Sequence, residues 1–197
     1  MQVEQNLTGI ILCGGESKRM GMAKALLVYN ELPQYLAAYH LLAPLCNQVF
    51  VSCKTSQSAW FSPNIPLCFD ETAYENTGPM AALLSAIKIC AGNAVLLLGC
   101  DYPALQQEDI QLLIQTYKSA NKSCCYVSGS HKMEEPLLAI YHPDDLQKLV
   151  HFYQAGQQSL RLFLNQTGAI KVEAENPTHI KSFDTPEDFE KFKIRKT

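Results

Sequence analysis

The arrangement of apolar runs predicts an α/β protein with three layers, helices covering both faces of a mainly parallel central sheet. Three observations carry this prediction. Short apolar runs alternate with longer helical stretches along the whole chain, as βαβ units with right-handed crossovers require. The run Ala94 to Leu98 is apolar, as a central parallel strand buried on both faces must be. The run Ile10 to Leu12 breaks into Gly14-Gly15, where a backbone without Cβ atoms can turn sharply and approach a ligand.

The elements follow in order. Residues 8–13 form the first strand, and a helix over 33–43 leads to strands over 48–53 and 66–70. Pro79 stands at the first helical position of a helix over 79–90. The strand over 94–99 is central, with the strands near residues 10 and 50 expected as its neighbours. A helix over 107–118 has the patterning of any core-facing helix. A strand over 123–128 sends Cys124 and Cys125 to opposite faces. A strand over 136–141, helices over 144–155 and 159–166 and a strand over 169–173 come next. After a polar loop at 174–179, Thr185 caps a last helix over 186–193, with Pro186 first and Asp188 third in it. There is no internal repeat or low-complexity tract.

With 197 residues, 47% of them hydrophobic, the chain can bury the core of a single domain over 1–197. A net charge of -3 provides no basic field for nucleic acid. The opening residues are polar and no apolar run is long enough to span a bilayer, so no membrane association and a cytoplasmic location are expected. The eight cysteines show no C-x-x-C pair and sit mostly in apolar runs, where a reduced thiol acts as a small hydrophobe. Neither a zinc site nor a disulfide framework is expected. The five histidines are scattered.

The chemistry is concentrated at the first loop. Gly14-Gly15 is followed by Lys18, Arg19 and Lys24, cations that can neutralise a polyphosphate cradled by outward-facing loop amides. The sequence is neither G-x-x-x-x-G-K-[ST] nor G-x-G-x-x-G, so a P-loop and a dinucleotide fingerprint are excluded. Asp101 ends the central strand at the carboxyl edge of the sheet, where open α/β folds bind ligands, and is the best-placed carboxylate for Mg²⁺. Asp70 ends the strand over 66–70 at the same edge. A carboxylate there can accept from the N–H donors of guanine, although a turn role fits equally well. Thr77-Gly78-Pro79 opens a helix whose amino end offers donors to an anion.

The string Gly14-Gly15-Glu16-Ser17-Lys18-Arg19-Met20-Gly21 followed by Lys24 resembles the signature loop of the MobA-like nucleotidyltransferases, close to G-G-x-S-x-R-M-G-x-D-K. Ala23 stands where that family has aspartate, and Cys13 where it has a small residue. Asp101-Tyr102-Pro103 resembles its D-x-P, Thr77 to Ala82 its G-P-L-A-G, Pro136 to Tyr141 its P-L-x-A-x-Y, and Gly156 to Arg161 its G-x-x-S-L-R. Two departures concern specificity. Lys54 replaces the asparagine of an S-A-N pattern, and Ser182 and Asp184 replace two amides of N-x-N-T-P-E-D.

The resemblance implies a Rossmann-like nucleotidyltransferase fold, with a nucleotide-binding part at about 7–105 and an acceptor-binding part at about 106–197. It implies transfer of GMP from GTP to the terminal phosphate of molybdopterin with Mg²⁺, by a monomer or weak homo-oligomer. Arg19, Lys24 and Asp101 would be catalytic, with Asp101 holding the metal. Leu12, Cys13, Gly14, Gly15, Ser17, Lys24, Asp70, Gly78 and Asp101 would bind nucleotide. Arg161, Ser182 and Asp184 would bind the acceptor, although Arg161 fits a surface ion pair equally well. A related enzyme using CTP or another NTP, on molybdopterin or a sugar phosphate, and a catalytically inactive nucleotide-binding protein are the alternatives.

Overall fold

A computed structural model of the chain describes residues 4–14, 23–75, 77–183, 185 and 187–189. The strands are β1 (Glu4–Leu12), β2 (Val28–Asn30), β3 (Leu32–Pro33), β4 (Cys46–Cys53), β5 (Leu67–Phe69), β6 (Ala94–Gly99), β7 (Cys124–Ser128), β8 (Met133–Tyr141) and β9 (Ile170–Glu173). The α-helices are α1 (Gln34–Leu42), α2 (Pro79–Ala86), α3 (Gln107–Ala120), α4 (Pro143–Gln154) and α5 (Leu160–Gln166).

Seven strands form one sheet in the order β5-β4-β1-β6-β8-β7-β9. Four of its six pairings are parallel, as expected of a mainly parallel sheet. β1 lies in the middle of the parallel part, with Ile10 opposite both Phe50 of β4 and Leu97 of β6. This corrects the expected order. β6 adjoins β1 and β8, and the strand near residue 50 lies on the far side of β1. The chain adds β4 and β5 on one side of β1 and then crosses through α2 to add β6 on the other. The strand order therefore reverses between β1 and β6, leaving a crevice at their carboxyl ends.

Alternation along the strands sorts the core into two layers. Leu7 and Ile11 of β1, Leu96 and Leu98 of β6, and Leu138 and Ile140 of β8 meet α1 and α3 through Leu42 and Ile110. Ile10, Leu97 and Ala139 point the other way and meet Met80 and Leu83 of α2, Leu149 of α4 and Phe163 of α5. Helices thus cover both faces, giving the three expected layers.

The differences from the sequence reading are local. β8 runs antiparallel to both neighbours because a short turn joins β7 to β8, with Gly129 and Lys132 in the left-handed region. α2 stops at Ala86, and the chain leaves its axis through left-handed Ala91 and Gly92. The hairpin of β2 and β3, turning on left-handed Glu31, was not expected. Nor were the 3₁₀ turns Lys24–Leu26, Thr55–Trp60 and Thr72–Tyr74. The last expected helix lies largely outside the described residues, but 187–189 are helical and the Thr185 hydroxyl accepts from the Asp188 N–H at 3.2 Å. No helix among the described residues is long and apolar enough to cross a membrane.

Leu97 is fully buried in β6 between α2 and the neighbouring strands, so Leu97→Ala removes transfer free energy and opens a cavity. Urea denaturation should show a loss of roughly 2–5 kcal/mol. A loss under about 1 kcal/mol would mean that this core layer collapses around the gap.

Candidate active site

The crevice at the carboxyl ends of β1, β4, β5 and β6 is a cleft of about 950 Å³. Leu12, Cys13, Gly14, Lys24, Asp70, Gly78 and Asp101 all line it, so the structure gathers seven of the sequence-derived nucleotide residues into one place. Gly15, Ser17 and Arg19 lie outside the described residues. The cleft also exposes Thr55, Ser56, Thr72 and Glu75, which the sequence reading missed. They sit on or beside the 3₁₀ turns, which carry no periodic pattern to announce them.

Asp101 owes its place to Gly99. A Cβ built at Gly99 would overlap Asp101 Oδ1 and lie 3.3 Å from the Leu137 Cβ, so any side chain there would displace the carboxylate. Lys24 Nζ is 4.0 Å from Asp101 Oδ2, with the two side chains only 21% and 17% exposed. Their attraction is therefore less screened than that of a surface pair. The main chain of Asp101 is tethered too, because the Phe183 N–H donates to its carbonyl at 2.8 Å. No group of three or more His, Cys, Asp or Glu side chains suited to a metal occurs among the described residues. A single carboxylate opening on a cleft suits a hard divalent cation that takes its remaining ligands from phosphate and water.

Asp70 is held from two sides. The Ser52 hydroxyl donates to its Oδ1 at 3.0 Å, and its own N–H donates to the Cys53 carbonyl at 3.1 Å. A Cβ at Gly14 would lie 3.3 Å from Asp70 Oδ2 and 3.6 Å from the Cys53 Cα. A side chain here would be tight, and the Asp70 carboxylate would have to shift by a few tenths of an ångström to admit it. Burial raises the Asp70 pKa above the ordinary carboxylate value, opposed by the Ser52 hydrogen bond and the Lys54 charge. The turn after Asp70 is pinned to α2, since the Glu71 N–H donates to the buried Ser85 hydroxyl at 2.8 Å. Gly78 precedes that helix at φ 61° and ψ −137°, a conformation open only to glycine, and Pro79 begins the first turn.

One expectation about the first loop is corrected. The amides of Cys13 and Gly14 do not face the cleft as anion donors, because both donate to the Ser52 carbonyl at 3.0 Å. The backbone of β1 continues its pairing with β4 past the end of the strand. Gly14 thus contributes the absence of a side chain rather than a hydrogen bond.

Of the three acceptor residues, the two that are described, Arg161 and Ser182, are not brought together. Ser182 lines a second cleft of about 530 Å³ with Ser128, Lys132, Glu135 and Lys181. Arg161 lines neither cleft. It projects from α5, and its Nε donates to the Glu134 carbonyl at 3.0 Å, so it braces the start of β8. Asp184 lies outside the described residues. The neighbouring Glu134 side chain is held near pKa 2 chiefly by Lys171, 2.7 Å away on β9, with Asn165 of α5 also donating to it. Glu135 of the second cleft accepts from the buried Tyr102 hydroxyl, Oε2 lying 3.0 Å away. Glu135 also accepts from the Ser128 hydroxyl.

Residues 9–171 match the family described as the MobA-like NTP transferase domain. The chain is 30% identical over 186 residues to the molybdenum cofactor biosynthesis bifunctional protein of Synechocystis sp.. That match covers 93% of this chain and 52% of the relative, so the chain spans about half the length of that protein. It is 28% identical to the molybdenum cofactor guanylyltransferase of Serratia proteamaculans, over 86% of this chain and 85% of the relative. The crystal structure of molybdopterin-guanine dinucleotide biosynthesis protein A from Archaeoglobus fulgidus superposes with a TM-score of 0.76 at 16% identity, covering 95% of this chain and 97% of that one. At that identity the likeness establishes the fold.

The raised pKa of Asp70 has a sign that can be tested. An acid whose pKa is higher in the folded state costs nothing below its unfolded value, and its cost appears as pH rises through the folded value. Asp70→Asn keeps an acceptor for Ser52 and removes the buried charge. The variant should equal or exceed the parent in urea stability at pH 7, with the difference shrinking below about pH 4. A variant clearly less stable than the parent at pH 7 would show that the Ser52 bond outweighs burial.

Proposed function

Because the chain belongs to the MobA-like NTP transferase family, we propose that it transfers GMP from GTP to the terminal phosphate of molybdopterin, releasing pyrophosphate. The observation that carries this reading is the convergence of Lys24, Asp70 and Asp101 on one cleft at the point where the strand order reverses. The names of the relatives, molybdenum cofactor guanylyltransferase among them, support the choice of substrates.

A phosphate acceptor is ionised before it reacts, so no strong general base is needed. Catalysis rests on positioning and charge neutralisation during in-line displacement at the α-phosphorus. Lys24 faces the triphosphate from beside Asp101, and Arg19 of the signature loop adds a planar fork for phosphate oxygens. Asp101 is the carboxylate that would hold Mg²⁺, which when bound supplies Lewis-acid neutralisation of phosphate oxygens. Asp70 accepts from N1–H and N2–H of guanine. Lys54 cannot both donate and accept as an amide does, but it can donate to a carbonyl oxygen such as O6. The acceptor approaches along the second cleft, past Ser182, where Lys132 is paired with Glu173 and Lys181 with Asp188.

Lys54 also gives the strongest ground for a second reading, in which CTP replaces GTP, because the base meets an ammonium where the family has an amide.

Pyrophosphate release with molybdopterin, Mg²⁺ and each of GTP, CTP, ATP and UTP tests both readings. GTP should give the fastest turnover, and Asp101→Ala should lower it by roughly 10²-fold or more while the urea midpoint stays near that of the parent. Turnover that survives in the folded Asp101→Ala protein would remove Asp101 from the mechanism. Preference for CTP would select the second reading.

A further inference from the structure

Cys13 and Cys100 face each other across the floor of the nucleotide cleft, with their Sγ atoms 3.1 Å apart. The pairing follows from register. Leu12 of β1 and Gly99 of β6 are opposite one another in the parallel ladder, so the next residues of the two chains are neighbours as well. Both belong to the core layer under α1, so both side chains leave the sheet on the same face. Adjacent parallel strands lie close to the Cα separation that a disulfide spans. Both thiols are free, and both are almost fully buried while lining the cleft, which makes the cleft the way in for a small oxidant.

We propose that Cys13 and Cys100 form a reversible disulfide modification site beneath the nucleotide, closed by a hydroperoxide. One sulfur of the pair attacks a peroxide oxygen as its thiolate, the O–O bond breaks and water leaves after protonation, giving a sulfenic acid on that cysteine. The other sulfur of the pair attacks that sulfur, the S–O bond breaks, and the thiol proton leaves with hydroxide as a second water. Two thiols are oxidised and one hydrogen peroxide is reduced to two waters. Burial and the Cys100 hydrogen bond push the Cys13 thiol well above its ordinary pKa, so it is the 3.1 Å approach of the two sulfurs, and not acidity, that selects this pair. Burial likewise pushes Cys53 and Cys90 to about 11, and Cys68, Cys124 and Cys125 to about 12, so these thiols stay protonated and slow to react. Protection of the pair by nucleotide rests on the functional reading above, whereas the disulfide itself does not.

The test is intact-mass analysis of the full chain after hydrogen peroxide, with peptide mapping under non-reducing conditions. The expected result is a Cys13–Cys100 cross-linked peptide that dithiothreitol removes and that is absent from Cys100→Ala. Oxygen addition without that peptide, or cysteines cross-linked in other pairs, would overturn the proposal. Mapping the parent protein decides this even if the variant folds poorly. GTP with Mg²⁺ at ten times its dissociation constant should slow closure about tenfold, as the free fraction falls. An unchanged rate, in a protein that GTP stabilises in thermal shift, would overturn the placement beneath the nucleotide. If no nucleotide shifts the melting temperature while the cross-link still forms, the disulfide stands and the nucleotide reading fails.

Discussion

The cleft depends on β1 being hydrogen-bonded on both sides, to β4 and to β6. This arrangement sets the end of β1, Asp70 and Asp101 side by side. β4 brings Ser52 and the Asp70 turn, β6 brings Cys100 and Asp101, and β1 ends between them in residues small enough to let both approach. The strand order reverses at this seam, so the helices that follow β1 and β5 pack on opposite faces and the carboxyl edge stays open.

The carboxylates in this edge occupy unequal environments. Asp101 has a cation 4.0 Å away and a tethered backbone, whereas Asp70 is half-buried with one hydroxyl donor and a more distant lysine charge. Burial holds Asp70 toward its neutral form, and a ligand offering N–H donors would relieve that cost. Energy withheld from the fold is then available on binding, a common arrangement in sites that give up stability for recognition.

The three layers and most strands were legible because apolar runs of strand and helix period alternate with few exceptions. The strand order was not, since alternation alone does not say on which side of β1 each strand is added. The antiparallel course of β8 lay hidden in a turn whose left-handed residues include a lysine. Within the site, glycine and aspartate positions could be read from motif and place, but their partners could not. Ser52 stood in the place of the serine of the S-A-N pattern, but nothing there announced that it would hold Asp70, and Gly14 was read as a point of approach for a ligand while its neighbours proved to be Asp70 and Cys53 and its amide a donor to Ser52. Arg161 matches its motif in type and place, but the motif did not announce that its Nε would brace a neighbouring strand. The proximity of Cys13 and Cys100, 87 residues apart, comes from register, which no single stretch of sequence contains.

Ser52 uses both of its polar ends, its carbonyl for the amides of Cys13 and Gly14 and its hydroxyl for Asp70. It is fully enclosed, so neither bond can be handed to water. The end of β1 and the carboxylate are thereby fastened to the same residue, and drift in one is felt by the other. Lys54, two residues on, is exposed and lies beyond this fastening. Divergence within such a scaffold has an uneven terrain: the residues that hold the loop change together or not at all, while the position beside them is free to vary.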